Sequence, residues 1–279
     1  MYVQWSKELE TGVPFVDSDH KILINLLNQA NDCIHQNEET FILGSVLDAL
    51  TEYTDFHFRR EEKMMAMSGY TALDAHRASH ADLSGQVSSI YRDFQANPAA
   101  IHAEDVRDFL NSWLIGHIKG DDFAYRDLCV GHAAAHAAHA VSFLGDADTP
   151  RLDWSDIRIM LVDDNPNFRK LVQTILKAIG VRHLELVDSC DKAAALLAKR
   201  PADVVLCDWV MEGMPGEEFV AYVDRMELPS RVIMLTGYSK AVLRERVRGL
   251  KVFDYVEKPV RARELLETIA RAALTVRLD

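Results

Sequence analysis

The chain lacks a cysteine framework. Its four cysteines, Cys33, Cys129, Cys190 and Cys207, are scattered, with no CxxC pair among them. That spacing excludes a disulfide-stapled scaffold and a cysteine zinc site, and it fits reduced thiols. A long apolar run is also missing. Nothing approaches the roughly 20 residues of a membrane span, and the opening MYVQWSKELE has no apolar signal core. A cytoplasmic protein that meets no membrane is the expectation. Basic excess is absent too: 31 Lys and Arg stand against 43 Asp and Glu, a net charge of −12. Such a balance argues against nucleic acid as a partner. The charge is uneven, with 10 basic and 21 acidic residues in 1–145 against 21 and 22 in the remainder.

At 279 residues the chain can bury two separate cores. In the first half the informative stretch is HFRRE, where His57 and Glu61 lie one turn apart on one helix face. Breaks at Asn37, Gly69 and Asn97-Pro98 divide the region into four helical patterns: from about Asp17 (a plausible N-cap), from Glu39 to Met67, from Ala72 to Ala96, and from Ala103-Glu104 onward. Glu61 and His57 lie eight and twelve residues before Gly69, and His76 and His80 seven and eleven after it. At about 1.5 Å per residue these pairs meet at one height in an antiparallel hairpin. The same arithmetic brings His20, His117 and Asp122 to that layer. Five imidazoles and two carboxylates from four helices suit two metal ions, with five terminal nitrogens and two bridging carboxylates.

The motifs WSKELETGVPFVDSDHK, HFRREEKM, GYTALDAHRASH and WLIGHIKGDD follow in order the pattern of the bacterial hemerythrins, which residues 1–130 resemble. The resemblance implies an all-α, up-down four-helix bundle holding an oxo- or hydroxo-bridged pair of iron ions. His76, His80 and His117 would hold one iron, His20 and His57 the other, and Glu61 and Asp122 would bridge them. Phe58, Trp113, Leu114 and Ile118 would wall a dry pocket for O₂; nitric oxide is an alternative ligand. Residues 131–153 read as a helical connector rich in His and Ala. His132, His136 and His139 share one face there, either as exposed linker residues or as an accessory metal or proton-sensing cluster.

From residue 154 to 279 the pattern changes to apolar strands at 157–162, 184–187, 204–207, 231–235 and 252–256. They alternate with helices starting near Pro166, Asp191, Gly216, Ser239 and Arg261. Five such units imply an α/β doubly wound, five-stranded parallel sheet whose reactive edge is at the strands' carboxyl ends. At that edge stand Asp163, Asp164, Asp208, Thr236 and Lys258, an oxygen-rich cation site beside a lysine and a hydroxyl. LVDDN, LCDWVMEGMPG, MLTG and YVEKP resemble the response-regulator receiver domain, a flavodoxin-like fold. That resemblance implies Asp208 as phosphoacceptor, with Mg²⁺ on Asp163, Asp164, Asp208 and the Val210 carbonyl. It also implies Thr236 and Lys258 at the phosphoryl oxygens, Tyr255 as the switch aromatic, and a cis Lys258-Pro259 peptide. Glu212 departs from the family pattern, which commonly has proline there. Val210 and Tyr238, at positions that tune water access in the family, suggest slow hydrolysis of the acyl phosphate.

Together the two resemblances imply a multidomain, non-enzymatic signalling protein: a di-iron O₂ site joined to a phosphorylation switch, for oxygen sensing or phosphorylation-controlled O₂ binding. A sensor histidine kinase or phosphotransfer protein would be a partner, with a homodimer through the receiver as a further expectation. O₂ storage or delivery, with the receiver controlling partner or location, is the alternative. An oxidase or peroxidase is weaker, because the ligand set is rich in histidine.

Overall fold

Pro14 opens the first helix, three residues ahead of the expected start, as its fixed φ and missing N–H favour. Asp17 is therefore not the N-cap. It lies in the first turn and accepts from Thr11 N (2.8 Å), Thr11 Oγ1 (2.9 Å) and Gly12 N (3.1 Å), so it ties down the preceding arm. The computed structural model describes residues 3–35, 40–98, 112–145, 152–238 and 249–276. The break at Asn37, the expected helix start at Ala103-Glu104, Phe109, Leu110 and the helix expected near Ser239 lie outside them.

The chain divides into two units, Met1–Ala147 and Asp148–Asp279. The first is helical: α1 (Pro14–His35), α2 (Thr40–Ser68), α3 (Leu73–Ala96), α4 (described over 112–129) and α5 (Ala133–His139). Gly69, at φ +73°, turns the chain between α2 and α3, and Asn97 ends α3 in extended geometry. Apolar side chains fill the interior, among them Leu23, Leu26, Ile42, Leu50, Met64 and Met65, all fully buried. At one end Val13, Val16, Tyr125 and Cys129 pack with Ala134 and Ala138 of α5. The His/Ala-rich segment thus folds back on the bundle as a short helix.

In α4, α-helical residues 112–117 give way to a π turn, Ile118–Asp122, before α-helix resumes at Phe123–Cys129. Five residues of α-helix would leave Asp122 about 140° round from His117. The wider π turn brings the two back to one face.

The second unit is a five-stranded, all-parallel sheet in the order β2-β1-β3-β4-β5. Its elements are β1 (Arg158–Val162), α6 (Pro166–Ala178), β2 (His183–Val187), α7 (Cys190–Leu197), β3 (Val204–Asp208), α8 (Gly216–Arg225), β4 (Arg231–Thr236), β5 (Asp254–Glu257) and α9 (Ala262–Val276). β3 is buried along its whole length, and β4 after its first residue, which is why both read as unbroken apolar runs. β5 begins two residues later than 252, since Val252 and Phe253 lead into it. Among the described residues no helix is long and apolar enough to cross a membrane.

Candidate metal centre and phosphoacceptor edge

All seven expected ligand residues of the first unit come together, and each is at most 5% exposed. Donor atoms of Glu61, His76, His80, His117 and Asp122 lie within 4.8 Å of one another, as do those of His20, His57 and Glu61. α1 supplies His20, α2 His57 and Glu61, α3 His76 and His80, and α4 His117 and Asp122. The Nε2 atoms of His76 and His80 are 3.0 Å apart, and those of His80 and His117 3.2 Å. Adjacent donors about 2.1 Å from a shared cation would stand about 3 Å apart, so this spacing suits a metal. Around the carboxylates, His20 Nε2 is 3.1 Å from Asp122 Oδ2, His117 Nε2 3.1 Å from Asp122 Oδ1, and His57 and His80 Nε2 each 3.4 Å from Glu61 Oε2.

Proximity here does not amount to hydrogen bonding. His20 Nε2, His57 Nε2, Glu61 Oε2 and both Asp122 oxygens are buried and have no hydrogen-bond partner. Buried polar atoms are almost always paired, so five orphans gathered in these two donor groups call for positive charge between them. The charges agree. Burial and Asp122 push the Glu61 carboxyl up, but His57 and His80 outweigh them and hold it at about 2. Asp122, against its own burial, is likewise held down by His117 and His20. Burial lowers His117, yet Asp122 and Glu61 together carry it up to about 9. The four residues expected to wall a gas pocket lie near these histidines or in the interior. Phe58 stacks on His80 at 3.7 Å between ring centroids, Trp113 is 6.3 Å from Phe58, and Leu114 and Ile118 are buried.

A ring of outer partners escaped the sequence reading. His57 Nδ1 is 3.4 Å from Asp19, His80 Nδ1 3.0 Å from Glu62, and His117 Nδ1 3.0 Å from Asp121, which Ser79 also holds at 2.7 Å. Such partners fix which ring nitrogen faces inward. Each of these acids neighbours a ligand residue in the sequence, beside His20, Glu61 and Asp122, and that adjacency was the available signal. The Tyr125 hydroxyl donates to Glu61 Oε1. By contrast His132, His136 and His139 form no common donor group among the described residues. His132 instead caps α5, its Nδ1 accepting from Ala134 N at 3.1 Å.

In the second unit Asp163, Asp164 and Asp208 bring carboxylate oxygens within 4.8 Å of one another; Asp163 and Asp208 are buried and Asp164 is exposed. Lys258 Nζ lies 3.0 Å from Asp163 and 3.1 Å from Asp208. Burial lifts the Asp208 carboxyl; Lys258 pulls it down, Asp163 pushes it up, and it comes to about 6. Lys258 moves upward despite its own burial, because both aspartates face it. The Thr236 hydroxyl is buried and accepts from Tyr238 N at 2.9 Å, and Tyr255 is buried on β5. Val210 and Tyr238 stand open, 61% and 46% exposed. The Lys258-Pro259 peptide is cis, as expected. The loop with Glu212 ends at Pro215, which precedes Gly216 at the start of α8. A Cβ on Gly216 would meet Met234 Cε at 2.7 Å and the Asp208 carbonyl at 3.0 Å, so glycine lets α8 start close against the end of β3.

Both halves match known families. Residues 11–129 match the hemerythrin HHE cation binding domain, and residues 159–270 the response regulator receiver domain. Similar proteins include the bacteriohemerythrin of Stenotrophomonas maltophilia, 31% identical over 128 residues that cover 46% of this chain and 82% of that one. The bacteriohemerythrin of Methylococcus capsulatus is 34% identical over 118 residues, covering 42% and 88%. Among solved structures, a wild-type hemerythrin is 30% identical, covers 47% of this chain and all of its own, and has a TM-score of 0.44. The Vibrio cholerae chemotaxis protein CheY4 is 25% identical, covers 42% and 98%, and has a TM-score of 0.39. A cation-binding helical domain is thus joined to a receiver, the make-up of a two-component signalling protein. The chain belongs to the hemerythrin family.

Proposed function

We propose that the first unit binds O₂ at a pair of iron ions and that phosphorylation of Asp208 and O₂ binding influence one another. The protein then senses oxygen, or has its O₂ binding set by phosphorylation. The observation that carries this reading is the set of five orphaned, buried donor atoms on ligand residues. His76, His80 and His117 would hold one ion, His20 and His57 the other, and Glu61 and Asp122 would reach both. Two iron ions so held supply reversible binding of O₂.

The remaining work falls to the chain. With protons on Nδ1, His57, His80 and His117 donate to Asp19, Glu62 and Asp121, so each Nε2 lone pair points inward. Tyr125 holds one oxygen of Glu61 and leaves the other directed to the centre. Phe58, Trp113, Leu114 and Ile118 keep water and its protons from the bound gas.

At the other edge Asp163, Asp164, Asp208 and the Val210 carbonyl would hold Mg²⁺. A carboxylate oxygen of Asp208 attacks the phosphorus of a donor phosphohistidine; the P–N bond breaks, and the imidazole leaves with the electron pair and takes a proton. Lys258 and Thr236 offset charge on the phosphoryl oxygens, so positioning and electrostatics do the catalytic work. Thr236 and Tyr255 then carry the change outward.

The test is an O₂ titration of the full-length, iron-loaded, reduced protein, read by absorption, before and after treatment with acetyl phosphate and Mg²⁺. The expected result is a reversible O₂-dependent spectrum whose half-saturation moves about fivefold or more, the size of ordinary allosteric coupling. No O₂-dependent change rejects the gas site, and an unmoved half-saturation rejects the coupling.

A further inference from the structure

The receiver sheet is charged differently at its two edges. Acids gather where the strands end, at Asp163, Asp164 and Asp208, whereas every strand is entered past a cation. Arg158 opens β1, Arg182 precedes β2, Lys199 and Arg200 precede β3, Arg231 opens β4 and Lys251 precedes β5. Three of these have evident tasks. Arg158 pairs with Asp203 at 3.0 Å, Arg231 donates to Thr275, and Lys251 pairs with Asp224. Arg182, Lys199 and Arg200 form no ion pair among the described residues. These three line a cleft of about 310 Å³ between the end of α7 and the amino ends of β1 and β2.

We propose that this cleft binds a small phosphate ester with an apolar body, by chemical class a mononucleotide. Like charges from two separate loops converge there, in a chain of net charge −12, with a single carboxylate, Glu185, in the lining and no ion pair to it among the described residues. An anion relieves that repulsion. Two guanidinium forks and one ammonium suit phosphoryl oxygens, and guanidinium planes also stack on flat rings. Arg158, already fixed by Asp203, closes a further side. Leu184, Leu196 and Pro201 supply an apolar wall, with Leu196 left 37% exposed on α7. Glu185 is the one carboxylate in the lining and would accept from a sugar hydroxyl or base amine. The volume is at the lower end of ligand pockets, roughly 300–1,000 Å³, which admits one nucleotide and excludes a nucleic-acid strand. Arg158 and Val162 are the two ends of β1, so the cleft lies about 13 Å of strand rise from the phosphoacceptor edge. The two sites can be filled together.

The experiment is equilibrium dialysis of the full-length, iron-loaded protein against AMP, ADP, ATP and inorganic pyrophosphate. We expect one saturable site for at least one nucleotide, weakened about tenfold or more in R182E/R200E and changed less than about twofold in D208N. Both arginines are exposed, and continued phosphorylation of R182E/R200E by acetyl phosphate shows that its receiver is folded. Pyrophosphate should bind about tenfold more weakly than the nucleotide, because it cannot use the apolar wall. Several results overturn the proposal: no saturable nucleotide binding up to millimolar concentrations, binding that survives R182E/R200E, or binding lost in D208N. Pyrophosphate binding as tightly as the nucleotide overturns the apolar body. Poly-glutamate binding in place of nucleotides, with the same arginine dependence, overturns the small-molecule assignment in favour of an acidic protein partner.

Discussion

Arg60 Nη1 reaches both carboxylate oxygens of Asp19 at 2.8 Å, and both residues are buried. The guanidinium also lies over the rings of Phe15 (4.6 Å) and Phe56 (4.9 Å), while Asp19 accepts from the Tyr53 hydroxyl at 2.8 Å and faces His57. One buried acid therefore links α1, α2 and His57, a proposed iron ligand. Asp19→Ala would leave Arg60 buried without its partner, an expected loss of about 3–5 kcal/mol in denaturant unfolding. It should also weaken metal retention about 10–100-fold, since His57 loses its anchor. Asp19→Asn, which keeps the shape and one acceptor, should fall between. Retention equal to wild type in Asp19→Ala would show that His57 needs no such anchor.

Metal loading should follow pH. His117 stands at about 9 and His20 is also raised, both because Asp122 and Glu61 face them. A raised folded-state value for a histidine means that the metal-free chain binds that proton more tightly than the unfolded chain does. Its contribution to stability is complete below the ordinary histidine value and is lost as pH rises through about 9. A metal needs the neutral ring, so at pH 7 each loading event must release protons. Stopped-flow with a pH indicator should record that release, and iron affinity should rise from pH 6 to pH 8. Proton-neutral loading at pH 7 would contradict this electrostatic picture.

Leu114 is 1% exposed on the helix that carries His117. Leu114→Asn would bring a polar group, and water with it, to the proposed gas pocket. We expect faster loss of O₂-binding capacity in air, followed by absorption on folded, iron-loaded protein. An unchanged rate would assign Leu114 to packing alone.

Tyr238, half exposed, follows Thr236 at the edge where phosphorylation of Asp208 is proposed. Tyr238→Ala should open a path for water and shorten the life of phosphorylated Asp208, measured by the decay of ³²P label. A lifetime equal to or longer than that of the wild type would remove Tyr238 from control of hydrolysis.

Much of this was legible in the residues. The convergence of His20, His57, Glu61, His76 and His80 could be read because helical rise alone brings them to one height, whatever the side-chain packing. The parallel sheet could be read because strands buried on both faces, such as Val204–Asp208, leave long apolar runs. The geometry of α4 could not. A spacing of five between His117 and Asp122 points them apart in an ordinary helix, and nothing in the intervening IKGD announces a π turn. The outer acids were obscured for another reason: Asp19, Glu62 and Asp121 resemble the solvated acids found throughout an acidic chain, and only burial and distance separate them. The start of the first helix was misplaced because Asp17 is a good cap by type, while Pro14 fixed the entry earlier.

The π turn at Ile118–Asp122 also bears on how this segment tolerates insertion and deletion. It takes up one residue more than an α-helix would need to set His117 and Asp122 on one side, since four steps of α-helix end only about 40° past a full turn. Losing one of the three residues from Ile118 to Gly120 should therefore tighten the coil without turning the downstream helix. The same loss between His57 and Glu61, where the coil is already regular, would turn the helix beyond it by about 100° relative to what precedes. Chains of this kind should vary in length by a residue at the first place and not at the second.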